Sequence, residues 1–335
     1  MMEKTEIRMM RKLSELYQNK DEIRVLDDRF IIPGSTFPEI RSDSKKRVNI
    51  IALGDVGGTL LMGLRLLGGG QISSIGLCDL NEKTLARYEM EINQILPASG
   101  AQDMPPVYIA EDPLDCDILL FCATAGIPPA GQEKTDVRLV QLEANRKIVK
   151  IYTDMAKTRG FDGAFYVVSD PVDLLCQAAA EGGISASHVR GFGLGVMYAR
   201  AAYYAEDRER FLKNGRVFGP HGNHLVVADS VLDYDEAASL LLTKKTITSN
   251  LKTRELGFKP YIAPALSSGS LSLLSLLRGE WQYSSLSFGS AFLGVRNRLT
   301  PEGREVEDLP LDDRLFERIE AAYADLKGYA FDGQA

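Results

Sequence analysis

Beginning at Arg47, the chain alternates short apolar runs with longer amphipathic stretches, and this alternation restricts the possible folds more than any other feature. "RVNIIAL" is a near-continuous apolar run and reads as a strand covered on both faces. "GGTLLMGLRLLGGG" follows as a helix closed by Gly68 to Gly70, and "ISSIGLCD" as a second strand. "LNEKTLARYEMEINQIL" opens a helix at Asn81 and stops it before Pro97. "PVYIA" and "CDILLFCATAG" add strands, and "TDVRLVQLEANRKIVKIYTDMAKTRG" a long helix with Val137, Val140, Ile148, Ile151 and Met155 near one face. "AFYVVSD" and "PVDLLCQAAAEGG" give one more strand and a helix with Pro in its first turn. Strands covered on both faces, each followed by a helix, predict a doubly wound parallel sheet of the α/β class.

The pattern changes on either side of that block. Residues 1–46 are expected to be an arm and linker: Ile7, Met10, Leu13 and Tyr17 form a helical stripe, followed by the Pro/Ser-containing "IIPGSTFPEIRSDSKK". An arm of this kind packs on the body or on a neighbouring subunit. Residues 47–182 form the α/β domain, and 183–330 an α+β domain. The second domain is predicted to have strands near "RVFGP" and "LVVADSV", a helix from Asp235 to Leu256 and another around Ala263–Leu277. Strands at "WQYSSLSF" and "SAFLGV" follow, and "DDRLFERIEAAYADLKGY" closes the chain as a helix.

Charge excludes some partners. A net charge of −7 argues against nucleic acid, which needs a basic face, and against anionic lipid. The charged N-terminus lacks the apolar core of a secretory signal, and no apolar run reaches membrane-spanning length, so a cytoplasmic location is expected. The four cysteines lie singly among apolar residues, without a C-x-x-C spacing, and read as buried free thiols rather than a metal site.

The first strand–helix junction, "IIALGDVGGTLL", is where a dinucleotide fold places its glycine turn. A tight turn, close backbone approach to the pyrophosphate and close strand–helix packing call for three glycines; here the register gives Ala52, Gly54 and Gly57, with Asp55 and Val56 between the last two. The next strand ends at Asp79, 22 residues after Gly57, where a carboxylate would hold the adenosine ribose and disfavour the extra phosphate of NADP. The expected cofactor is therefore NAD, on a Rossmann-type domain. The alternative is that the glycines serve only packing and Asp79 caps the following helix.

"FGPHGNHLVV" holds His221 and His224, two of only three histidines. A metal site, a general acid and a plain loop are all open for this pair, although no third metal ligand lies nearby in sequence.

In order and spacing, "ALGDVGGT", "GLCDLN", "DILLFCATAG", "VRLVQLEANRKIVK", "VVSDPVDLL", "GFGLGVMYAR", "GPHGNH" and "LPLDDRLFERIEAAYADL" resemble the lactate/malate dehydrogenase family over residues 47–328, as a distant member. The resemblance implies an oxidoreductase acting on a small 2-hydroxy/2-keto acid, lactate- or malate-like, assembled as a homodimer or homotetramer. It implies His221 as proton donor to the keto oxygen, Arg138 as the group polarising the carbonyl, and Arg200 as a two-pronged anchor for the substrate carboxylate. Thr124, Ala125 and Gly126 would line the cofactor site, and "GIPPAGQEKTDVR" would be a closing loop with Gln132 at or near the specificity position. No arginine falls in that register, which tilts the expectation towards a monocarboxylate.

Two positions depart from the family. Met197 stands where a carboxylate normally pairs with the catalytic histidine, and Asp170 stands where the family has asparagine. Asp170 supporting His221 from another side is the leading expectation. The alternatives are a cationic or amino-bearing substrate facing Asp170, or an NAD-binding sensor or subunit without turnover.

Overall fold

The computed structural model describes residues 10–34, 37–38, 44–100, 103–125 and 137–329, with the backbone alone for 137–140. In chain order the first strands are β1 (Arg24–Val25) and β2 (Arg29–Pro33). The α/β block follows: β3 (Lys46–Ile51), α1 (Asp55–Leu67), β4 (Ile72–Cys78), α2 (Glu82–Asn93), β5 (Val107–Ile109), β6 (Ile118–Phe121), α3 (Val137–Arg159), β7 (Ala164–Val167), α4 (Val172–Glu181) and β8 (Val189–Gly191). Next come α5 (Leu194–Tyr204), α6 (Arg208–Asn214), the hairpin β9 (Arg216–Phe218) and β10 (Val226–Ala228), α7 (Glu236–Ile247) and α8 (Ser249–Glu255). A π-helical segment, Pro264–Leu271, leads into α9 (Ser272–Leu277), then β11 (Gln282–Ser287), β12 (Phe292–Thr300), β13 (Gly303–Glu307) and α10 (Asp313–Gly328).

The parallel strands run in the order β5-β4-β3-β6-β7-β8. This is the 3-2-1-4-5-6 order of a doubly wound dinucleotide fold, with its switch point between β3 and β6. Val48, Ile50, Ile118 and Leu120 are essentially inaccessible, as strands covered on both faces must be. Leu60, Leu61 and Leu64 give α1 one buried face against the sheet. The sheet does not end at β8. β11 pairs with it antiparallel, and β12, β13, β2 and β1 continue the same eleven-stranded sheet.

The described part of residues 1–46 packs on the body. β2 pairs with β13, and Leu13, Tyr17 and Phe30 sit in a core with Phe288, Leu315, Phe316 and Ile319. Tyr17 lies 5.7 Å from Phe30 and 5.6 Å from Phe288 between ring centroids, tilted and edge-on respectively.

Two expected helices are subdivided. The stretch 235–256 breaks at Thr248 into α7 and α8. Thr243, Thr246 and Thr248 each turn their hydroxyls back onto the carbonyl four residues earlier, at 2.7, 2.8 and 2.8 Å. Such back-bonding bends a helix. Residues 264–277 form a π-helical segment before α9, which packs on α1 through a bond from Ser270 Oγ to the Leu60 carbonyl (3.0 Å). The sequence reading also omitted β13, which follows β12 through the turn at Pro301–Glu302.

Candidate functional site

The dinucleotide side is made by backbone. Ala52 follows β3 with φ 70°, in the left-handed region, and its N–H donates to the Cys78 carbonyl (2.8 Å). This is where the motif prefers glycine, and an alanine there is strained by about 1–2 kcal/mol. Gly57 answers the same turn: a Cβ on it would stand 2.0 Å from the Ala52 carbonyl oxygen, so strand end and helix approach as closely as glycine allows. Gly54 precedes α1, and a Cβ there would meet nothing within 4 Å. The first-turn N–H groups of α1, beginning with Asp55 and Val56, thus stand beside an open face and carry the positive end of the helix dipole.

Asp79 follows β4. One of its oxygens accepts from Leu53 N–H (2.7 Å) and the other from Asn81 N–H (2.9 Å), tying the glycine turn to the second strand. The N-cap of α2 is Asn81, whose side chain accepts from Lys83 and Thr84, so capping is not the task of Asp79. Each Asp79 oxygen keeps a free acceptor direction, and the side chain is partly exposed. Asp55 bonds Lys259 across the cleft at 2.8 Å, which neutralises an acid that would otherwise repel a pyrophosphate. These residues fit NAD: a glycine-tight helix start for the phosphates and a carboxylate at the second strand for the ribose.

Thr124 and Ala125 are exposed after β6. Asn145, fully buried on α3, accepts from Ala125 N–H and donates to the Asp170 carbonyl, both at 2.8 Å. Ser169 donates to the Ala123 carbonyl at 2.6 Å. The loops after β6 and β7 are thereby joined, which fixes the position of Asp170. Gly126 and Gln132 lie outside the described residues, as does the Arg138 side chain, although its backbone opens α3.

Opposite, His221 sits between β9 and β10. Its Nδ1 is 3.4 Å from Asp170 Oδ1, with the imidazole 14% and the carboxylate 56% exposed. Its backbone N–H donates to Asp173 Oδ2 (3.1 Å). Asp173 is buried in the first turn of α4 and accepts from Ser285 Oγ at 2.5 Å; burial pushes its carboxyl up to about 6 in spite of those bonds. A Cβ at Gly193 would stand 2.8 Å from His221 Nδ1, so the ring rests against glycine backbone. Asn145, Asp173, Gly193 and Ser285 were missed by sequence reasoning. The available signals were the second acid of "SDPVD" and the glycine pair of "GFG".

Arg200 projects from α5 and is half-buried. Burial lowers its pKa and the charge of nearby Asp170 partly counters this. Its contact is a weak one from Nη1 to the Met197 sulfur at 3.7 Å, and among the described residues no carboxylate ion-pairs with it. It lines a cleft of about 610 Å³ with Val196, Tyr203, Lys252, Lys259 and Ile262. His224 has a different role from His221: its Nδ1 meets Asp325 of α10 at 2.7 Å. Cys116, Cys122 and Cys176 are buried and Cys78 is partly so; burial raises all four thiols. Among the described residues no helix is long and apolar enough to cross a membrane.

The lactate/malate dehydrogenase NAD-binding domain family matches residues 46–191. L-lactate dehydrogenase of Corynebacterium jeikeium is 28% identical over 158 residues, 47% of this chain and 46% of that protein. L-lactate dehydrogenase 1 of Bacillus cereus is 30% identical over 154 residues, 45% of each. The chain therefore spans about half the length of the curated relatives it matches. The minor L-lactate dehydrogenase of Enterococcus mundtii superposes with a TM-score of 0.71 at 20% identity, covering 85% of this chain and 98% of that one. Malate dehydrogenase of Archaeoglobus fulgidus, in complex with NADH, gives the same TM-score, identity and coverage. The strand order, the glycine turn and these matches converge: residues 46–191 are an NAD-binding domain of the lactate/malate dehydrogenase family.

Proposed function

We propose that this protein is an NAD-dependent dehydrogenase interconverting a small 2-hydroxy acid and its 2-keto acid. The observation that carries the reading is Arg200, a half-buried guanidinium with no carboxylate partner among the described residues, facing the cleft beside Asp170. A buried cation without an acid is unfavourable unless an anion arrives to pair with it. A 2-keto acid carboxylate matches its two-pronged geometry. His221 is the proton donor and acceptor for the substrate oxygen, with the Asp170 carboxylate standing 3.4 Å from its Nδ1. Asp173 and Gly193 set the position of the imidazole from behind. Arg138 would polarise the carbonyl. NAD, when bound, supplies the hydride acceptor or donor. Among the described residues three cations and no acid line the cleft, which weighs against a substrate bearing a cationic group.

The test is NADH oxidation over pyruvate, oxaloacetate, branched 2-keto acids and amino-bearing 2-keto acids, for the wild type and Arg200→Ala. Loss of a two-pronged charge contact weakens substrate binding by about 2–5 kcal/mol. It should leave the NADH dissociation constant within about twofold, well under 1 kcal/mol. An unchanged KM in Arg200→Ala would place the carboxylate anchor elsewhere.

A further inference from the structure

The cleft beside Arg200 has an electrostatic character opposite to that of the whole chain. The protein carries a net charge of −7, yet among the described residues the charged ones lining this cleft are Arg200, Lys252 and Lys259, all cations. Ser249, Lys252, Thr253 and Leu256 contribute to the lining at spacings of three, four and seven residues from Ser249, so one face of α8 and its C-terminal extension forms this wall.

The three cations differ in what already balances them. Lys259 is neutralised by Asp55 at 2.8 Å. Arg200 has only the Met197 thioether. Lys252 places its Nζ 4.5 Å over the Tyr204 ring, and among the described residues it has no carboxylate partner. An aromatic face positions an ammonium group without cancelling its charge. The Tyr204 hydroxyl is in turn 3.4 Å from Ser249 Oγ on α8, holding the ring to the same wall. One substrate carboxylate on Arg200 therefore leaves one held, uncompensated cation in the cleft.

We infer that Lys252 is a specificity-determining residue that pairs with a second carboxylate, selecting 2-hydroxy/2-keto dicarboxylates over monocarboxylates. The inference rests on the reading of this cleft as a 2-hydroxy/2-keto acid site. It replaces the monocarboxylate tilt drawn from the residues around Gln132, because the cation that reads the second charge stands on α8.

The experiment compares kcat/KM for pyruvate with that for four- and five-carbon 2-keto dicarboxylates in the wild type, Lys252→Gln and Lys252→Arg. The wild type should prefer a dicarboxylate, and Lys252→Gln should lower the dicarboxylate-to-pyruvate ratio by about 10–100-fold, the equivalent of one charge-assisted contact. The fall should appear mainly in KM. Lys252→Arg should keep the preference, and added salt should erode it in the wild type. A wild-type preference for pyruvate, or an equal loss on both substrates in Lys252→Gln, overturns the inference and leaves the dehydrogenase reading standing. If the wild type reduces no keto acid, the dehydrogenase reading fails instead. Calorimetric titration of the NADH-loaded protein with succinate and with propionate then decides Lys252 separately. Tighter succinate binding that Lys252→Gln abolishes supports it, and equal binding refutes it.

Discussion

From Ala52 to Gly57 the groups that fit a dinucleotide are backbone groups, whereas the proposed substrate site draws on Asp170, Arg200, His221 and Lys252, side chains from four separate segments. The first wall depends on φ angles and on the absence of a Cβ. The second depends on charge. A backbone-built surface is contiguous in sequence because one turn makes it. A side-chain-built surface is assembled by the sheet: Asp170 follows β7, Arg200 is on α5, His221 is in the β9–β10 turn and Lys252 is on α8. The two walls should therefore fail differently when perturbed.

The largest effect is expected at Gly57. An added Cβ would stand 2.0 Å from the Ala52 carbonyl oxygen, in a turn whose Ala52 N–H is already held by the Cys78 carbonyl. Gly57→Ala should destabilise the fold by about 2–3 kcal/mol, as overpacking does. It should also weaken NADH binding by more than about 10-fold, since the helix start shifts away from the phosphates. Denaturant melts and NADH fluorescence titration read both. This is the reverse of Arg200→Ala, which should spare the cofactor and lose the substrate. Wild-type NADH affinity in Gly57→Ala would mean that the cofactor wall does not depend on this close approach.

The same division explains what was legible in the sequence. The parallel sheet could be read because apolar runs and amphipathic helices alternate, and the glycine turn because its parts are adjacent. Asp79 was placed by its position after the second strand. The roles proposed for Arg200 and His221 rest on resemblance, since a lone arginine or histidine carries no periodic signal. Asn145 and Asp173 were invisible because their partners, Ala125 and Asp170 in one case and Ser285 and His221 in the other, lie 20 to 112 residues away. Lys252 escaped notice because the role proposed for it depends on the lack, among the described residues, of an acid paired with it. The break at Thr248 was local and readable in principle, through the threonines at 243, 246 and 248.

A smaller effect sharpens the comparison through pH. Asp173 is the buried acid behind His221, and its pKa rises from 3.8 to about 6 because burial disfavours the charged form. The folded state therefore holds a proton that the unfolded state releases between pH 4 and 6. This contribution favours folding below pH 4 and is lost as pH rises through about 6, amounting to roughly 2–3 kcal/mol. Asp173→Asn removes the titration and can keep both contacts, with its oxygen accepting from His221 N–H and its amide donating to Ser285. The stability of the variant relative to wild type should thus rise by about 2–3 kcal/mol between pH 4 and 7, read by urea melts at several pH values. NADH affinity should not follow that change. A pH-independent difference between the two proteins would show that Asp173 titrates in its ordinary range.

The smallest effect tests the backbone wall at its one exception. Ala52 occupies the left-handed region at φ 70° where a glycine would be unstrained. Ala52→Gly removes about 1–2 kcal/mol of local strain. Against this, the more flexible unfolded chain gives back about 0.5–1 kcal/mol. The methyl group also packs partly against the core on the α3 side of the sheet, a further small loss. The balance favours the variant by about 0.5 kcal/mol if conformation dominates. NADH affinity should stay within about twofold, because the carbonyl of residue 52 and its contact with Gly57 do not depend on the side chain. Destabilisation by more than about 1 kcal/mol would mean that the partly buried methyl outweighs the strained φ, as side-chain packing can in a close-packed interior. The turn would then be held by a side chain, in the manner of the substrate wall, and the contrast between the two walls would not extend to residue 52.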